Sequence, residues 1–170
     1  MQPVIDRQSL QALYRYNAHA NALLLDALVQ LDESEYNDVR SPNYTSIRKL
    51  ATHSFMVERF FLAQCQEQPL ERIDPATAEE LRTAWLALNQ AIEDYLATTG
   101  DDELNRPRTV TLRQHPFAFP AWQLLTQALM HSTHHRGELA LMLGAIGHAL
   151  PEHDIIRHFW EQTGQPWPLE

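Results

Sequence analysis

The sequence predicts an all-α protein, a four-helix bundle with a long crossover before helix four and a short C-terminal fifth helix. Three observations carry that expectation. Apolar residues recur at threes and fours through four long segments, the spacing of helices that each bury one face. The breaks between those segments are rich in Ser, Asn, Gly and Pro. Strand-like alternation is confined to Thr109-Val110-Thr111-Leu112.

In chain order, the first helix is expected over about residues 7–31, where Leu10, Leu13, Tyr14, Asn17, Asn21, Leu24, Leu28 and Leu31 form the stripe and Ser9 helps start it. Residues 32–44, with Ser41-Pro42-Asn43, read as a polar, turn-rich connection. Thr45 or Ser46 then opens helix two, with Ile47, Leu50, His53, Val57, Phe60 and Phe61 on one face, fading over residues 66–69. Asp74-Pro75 followed by Thr77-Ala78-Glu79-Glu80 starts helix three, which runs through Leu81, Trp85, Leu88, Ile92, Tyr95 and Leu96 and stops at Thr99-Gly100. Pro107, Pro116 and Pro120 make residues 101–120 an extended crossover with a short hairpin. Helix four follows from Ala121 to Gly144 or Gly147, and Pro151-Glu152 opens the fifth helix with Ile155, Ile156, Phe159 and Trp160. The tail Gly164-Gln165-Pro166-Trp167-Pro168 cannot continue it. Neither repeats nor low-complexity segments interrupt this pattern, so residues 1–170 are read as a single helical-bundle domain.

Composition limits the partners. A chain of 170 residues that is 44% hydrophobic and 21% charged is an ordinary globular protein. Its net charge of −9, without a basic stripe, argues against nucleic acid as a partner. The single cysteine, Cys65, rules out an internal disulfide or a Cys-rich metal cluster. It lies about 18 Å along a helix from His53, too far to serve the same site. The run Met1-Gln2-Pro3-Val4-Ile5-Asp6-Arg7 lacks signal-peptide architecture, and no apolar run approaches the ~20 residues that span a bilayer. A cytoplasmic protein without a membrane partner is expected.

The chemistry lies in the histidines. His131 and His135 are four apart in Leu129-Met130-His131-Ser132-Thr133-His134-His135-Arg136-Gly137-Glu138, so they share a helix face. At ~100° per residue, His135 falls near the centre of helix four's apolar stripe (Leu124, Leu125, Ala128, Leu139, Met142, Leu143, Ile146). His131 lies roughly 60° from that centre and His134 about 120° away, towards solvent. His53 takes a core position on helix two, three residues after Leu50 and four before Val57. Three buried imidazoles are costly unless they share a partner, and a cation supplies one. Three protein nitrogens also leave a tetrahedral ion one open position, the mark of a catalytic rather than a structural zinc-type site. A zincin has Glu directly after its first histidine, where this chain has Ser132, and the paired Glu-x-x-His of di-iron bundles does not occur.

The run Leu129 to Leu139, with Gly147 and Pro151 to Asp154 beyond it, resembles the helix-four signature of the DinB/YfiT-like superfamily. Tyr16-Asn17-Ala18-His19-Ala20-Asn21 is similar to that family's first-helix pattern, and Leu50-Ala51-Thr52-His53 to its second-helix histidine. The resemblance spans residues 16–161. It implies a four-helix bundle, often a homodimer, with a metal on His53, His131 and His135. It also implies metal-dependent transferase or isomerase chemistry with a low-molecular-weight thiol, or hydrolysis, on a small-molecule substrate that the motif does not name.

The expected cofactor is a divalent ion, zinc first and nickel or iron as alternatives, with a small thiol as cosubstrate. The rival from another class is a non-catalytic metal- or ligand-binding stress-response bundle. His19 and Glu58 are the residues to check as a fourth ligand that would close the site. Phe60, Phe61, Trp122 and Met142 are candidates to line a pocket, with core packing the favoured explanation. Arg136 is expected in an ion pair with Glu58 or Glu161, Gly137 at a close helix approach, and Glu138 in solvent or beside the ligands rather than as a general base.

Overall fold

The computed structural model describes residues 5–39 and 46–168. The expected turn Ser41-Pro42-Asn43, the alternative cap Thr45 and the first residues of the chain lie outside them. Four long helices form the frame: α1 (Arg7–Leu28), α3 (Ile47–Gln66), α4 (Ala78–Thr98) and α6 (Ala121–Gly144). To these the structure adds three short helices, α2 (Glu33–Asn37), α5 (Asp101–Asn105) and α7 (Ile155–Glu161), and a hairpin of β1 (Pro107–Leu112) and β2 (His115–Pro120). The expected four-helix bundle is thus a core of four helices carrying extra short helices and a β-hairpin insertion.

Local chemistry sets most boundaries. Asp6 caps α1 by accepting from the Ser9 N–H at 2.7 Å, so Ser9 helps start the helix from its third position. The helix stops at Leu28 rather than at 31, because Gln30 and Leu31 tighten into three-residue bonds to Ala27 and Leu28. The connection expected to be irregular contains α2, held by a capping box in which Asp32 and Glu35 exchange side-chain and backbone bonds. Ser46 caps α3, and Glu67 ends it in the left-handed region at φ 56°. Helix α4 is capped by Thr77 and not by Asp74, which pairs instead with Arg48 at 3.0 Å. The fifth of the expected helices, α7, begins four residues later than Pro151.

The hairpin bears out the alternation seen in the sequence. Pro107 faces Pro120 and Leu112 faces His115, leaving Arg113 and Gln114 as a two-residue turn with φ of 47° and 70°. Both values belong to the left-handed region that a tight hairpin turn requires. Val110 is fully buried, and Arg108 is buried with its Nε donating to the Cys65 carbonyl at 3.0 Å, which fastens the hairpin to the end of α3. No helix among the described residues is long and apolar enough to cross a membrane.

The core lies between the four long helices, with Trp85, Phe55, Leu10, Leu24, Leu50 and Leu96 among its fully buried side chains. Helix α3 packs on α6, and α1 on α4 and α6. The α3–α6 pair is antiparallel: His53 meets His131, Ser54 meets Ser132, and Cys65 reaches the Ala121 carbonyl. That register decides which side chains of the two helices can meet.

Candidate metal centre

Three imidazoles converge where α3 and α6 cross. His135 Nε2 lies 3.2 Å from His131 Nε2, which lies 3.3 Å from His53 Nε2. The ring pairs stand at steep angles, 59° for His53–His131, 77° for His53–His135 and 76° for His131–His135, so nitrogens rather than ring faces meet. Four residues of helix separate the two α6 histidines, and the antiparallel register brings His53 to their level.

The protons decide what this cluster suits. Glu138 Oε2 lies 2.6 Å from His135 Nδ1, so Nδ1 carries the proton and Nε2 presents a lone pair to the cluster. His131 Nε2 stands between two other Nε2 atoms and can donate to only one of them. Its Nδ1 is buried without a hydrogen-bond partner, so no neighbour fixes its tautomer. Converging lone pairs with too few protons between them fit a shared cation. The spacing fits as well: two nitrogens bound to one zinc at ~2.0–2.1 Å are about 3.3–3.4 Å apart in a tetrahedral arrangement.

Electrostatics favour the metal-ready form. Burial, with the neighbouring His135 and His53, pushes the His131 pKa down to about 4, and burial followed by His135 lowers His53. Both rings are therefore neutral near pH 7. Between pH 6.5 and about 4 the unfolded chain binds protons that folded His131 refuses. The metal-free protein should accordingly lose stability as pH falls through that window and recover it above pH 6.5. Urea titrations of chelated protein at stepped pH check this; a flat profile between pH 7 and 4.5 would contradict it.

Of the residues singled out in the sequence, His53, His131 and His135 are brought together. His134 is not: its side chain is 69% exposed, and its Nε2 is 3.5 Å from Glu138 Oε1. Glu138 sits beside His135, with Oε2 at 2.6 Å from its Nδ1. His19 belongs to a different cluster, and Glu58 is engaged in the core, so neither stands as a fourth ligand. Cys65 is buried 18 Å away in helix terms, with its thiol pushed up to about 12 by burial. Gly137 is exposed, and a Cβ there would meet nothing within 4 Å, so no close helix approach requires it. Phe61 lines a cavity of ≈ 350 Å³ with Val110, Phe119, Gln123, Leu124 and Gln127, whereas Phe60, Trp122 and Met142 pack against the core.

A model of the DinB family matches residues 7–166. This chain belongs to the DinB family. Protein DinB of Bacillus subtilis (strain 168) is 24% identical to it over 152 residues, which cover 81% of this chain and 86% of that protein. The crystal structure of a DinB-like protein from Bacillus subtilis covers 85% of this chain and 98% of its own, with a TM-score of 0.62 and 18% identity. That structural likeness shows a shared fold.

Behind the histidines of this DinB-family chain lies a buried polar network that sequence reasoning missed. Glu58, 1% exposed, accepts from Asn17 Nδ2 at 3.1 Å and Asn21 Nδ2 at 3.3 Å through Oε1, and from Trp85 Nε1 at 3.2 Å through Oε2. Ser132 Oγ also donates to Glu58 Oε1, which leaves Ser54 as donor in its 3.4 Å contact with Ser132. Arg136 Nη1 donates to Asn17 Oδ1 at 2.5 Å and to Asn21 Oδ1 at 2.7 Å. The expected ion pair of Arg136 with Glu58 or Glu161 is thus corrected: two asparagines bridge guanidinium and carboxylate, and Glu161 pairs with Arg157. The readable signal was Asn17 and Asn21 at core positions of the α1 stripe.

Glu138→Gln tests its orienting role. The amide keeps the size but not the charge, and metal affinity should fall about 10- to 100-fold. Competition with a chromophoric chelator measures this; unchanged affinity would remove Glu138 from the site.

Proposed function

We propose that this DinB-family protein is a mononuclear metal-dependent enzyme with one divalent ion on His53, His131 and His135. Zinc is the first choice, with nickel or iron as alternatives. The reaction class is transfer or isomerisation with a low-molecular-weight thiol, or hydrolysis, on a small-molecule substrate. The observation that carries this reading is the meeting of three Nε2 atoms, two of the contacts being 3.2 and 3.3 Å, with His135 held by Glu138. An ion held by these three histidines would lower the pKa of a water or thiol bound to it.

The chain's own residues do the rest. Glu138 fixes the tautomer and orientation of His135. Depressed proton affinity keeps His53 and His131 neutral at physiological pH. Ser132 and Arg136, each next to a ligand on α6, tie that helix to α1 and α3 and hold the imidazoles in register. Gln127, one turn before His131, borders the apolar cavity, which suits a substrate with an apolar part. The reading includes a homodimer and a cytoplasmic setting, where small thiols stay reduced.

Stripping the ion with a chelator and restoring zinc, nickel or iron one at a time tests the reading. Thiol transfer to an electrophile and ester hydrolysis are followed in parallel. Activity should vanish on stripping and return with one metal. A protein that reloads metal stoichiometrically yet turns over nothing across both panels would favour the non-catalytic binding bundle.

A further inference from the structure

A second group of metal-ligating side chains, His19, His158 and Glu161, shares no residue with the triad. Their ligand atoms lie within 4.8 Å of one another. His158 and Glu161 are three apart on α7 and therefore share a face, while His19 comes from α1. The two imidazole rings stand 5.1 Å apart at 34°, and Tyr16, three residues before His19, lies 5.8 Å from His158. We propose that His19, His158 and Glu161 form a second divalent-cation site, suited to zinc, that fastens α7 to α1.

An independent observation bears on it. Helix α7 has seven residues and buries none of them; Ile156 is 62% exposed and Phe159 38%. A helix that short is unstable alone, and its half-buried Trp160 is held by the tail, through Pro166 and Trp167, rather than by α1. Among the described residues, the segment leading into α7 is bonded to α1 by the Tyr16 hydroxyl, which donates to the His153 carbonyl at 2.9 Å. Two imidazoles and a carboxylate from two separate elements are a zinc donor set that crosslinks those elements. The competing bonds are ones water can replace: the Gln162 amide donates to His158 Nε2 at 2.7 Å, and Arg157 Nε to Glu161 Oε1 at 3.1 Å. The site is independent of the triad and of any reaction there.

The test uses full-length, tag-free, chelator-stripped protein titrated with zinc by calorimetry, with far-UV circular dichroism confirming the fold of each variant. Wild type should bind about two ions per chain. His19→Ala and His158→Ala should each lose the second and keep the first, whereas His135→Ala should do the reverse. Trypsin supplies a local readout, because Arg157 lies within α7. Zinc should slow cleavage after Arg157 about tenfold or more in wild type and leave it unchanged in His19→Ala. A single ion in wild type, a second ion retained by both variants, or equal protection of Arg157 in His19→Ala would each overturn the proposal.

Discussion

Arg136→Ala should lower the unfolding free energy by about 3–5 kcal/mol, the range for breaking one side of a buried charge arrangement. Arg136 is 2% exposed, and its guanidinium satisfies the carbonyl oxygens of both Asn17 and Asn21. Removing it orphans those acceptors and leaves the Glu58 carboxylate buried without its counter-charge. Burial lowers the Arg136 pKa, and the nearby Glu58 offsets that in part. Urea denaturation should show a lower midpoint at unchanged slope. The Glu58→Gln, Arg136→Met double variant should lose less than the two single losses added together, because no charge is then left uncompensated. A loss below about 1 kcal/mol for Arg136→Ala would mean that water replaces the guanidinium and that the network does not depend on it.

His135→Ala should abolish tight metal binding at the triad while leaving the helices in place. Two of the three Nε2 atoms remain, but the lost ring is the buried one and the one anchored by a carboxylate. The quantity to measure is metal that survives dialysis, by elemental analysis: the variant should hold about one ion per chain fewer than wild type. His134→Ala is the control. Its ring neighbours His135 at 5.1 Å yet points to solvent, so metal content should not change. Equal, stoichiometric metal in wild type and His135→Ala would remove this ligand set.

What could be read in advance followed the length and periodicity of each element. Stripes such as Leu124, Leu125, Ala128 and Leu139 extend over several turns, so the frame helices were legible and their caps missed by a few residues at most. Helices α2 and α5 are five residues each, too short to display a period. The capping pair Asp32 and Glu35 was nevertheless readable and marks α2. The histidines stood out because spacing alone puts His131 and His135 on one face, and Leu50 and Val57 put His53 on another. Helical spacing says nothing about which helices touch. Hence the bridge from Glu58 through Asn17 and Asn21 to Arg136 was out of reach, although each member occupied an inward position. The pairing of His19 with His158 was hidden for the same reason, since residues 139 apart meet only after α7 has folded back onto α1.

Along α6, two sets of residues alternate. His131 and His135 turn towards the other ligand, while Ser132 and Arg136, one step of ~100° further round, turn towards the polar core. Reactivity and cohesion are thus coded at adjacent positions but on different sides of one helix. The consequence concerns how such a scaffold can change over generations. A substitution at 131 or 135 can trade one ligand for another without loosening the bundle, whereas one at 132 or 136 threatens folding whatever the site does. A lineage built on this plan is free to explore new chemistry at its opening while the packing a single residue away stays fixed.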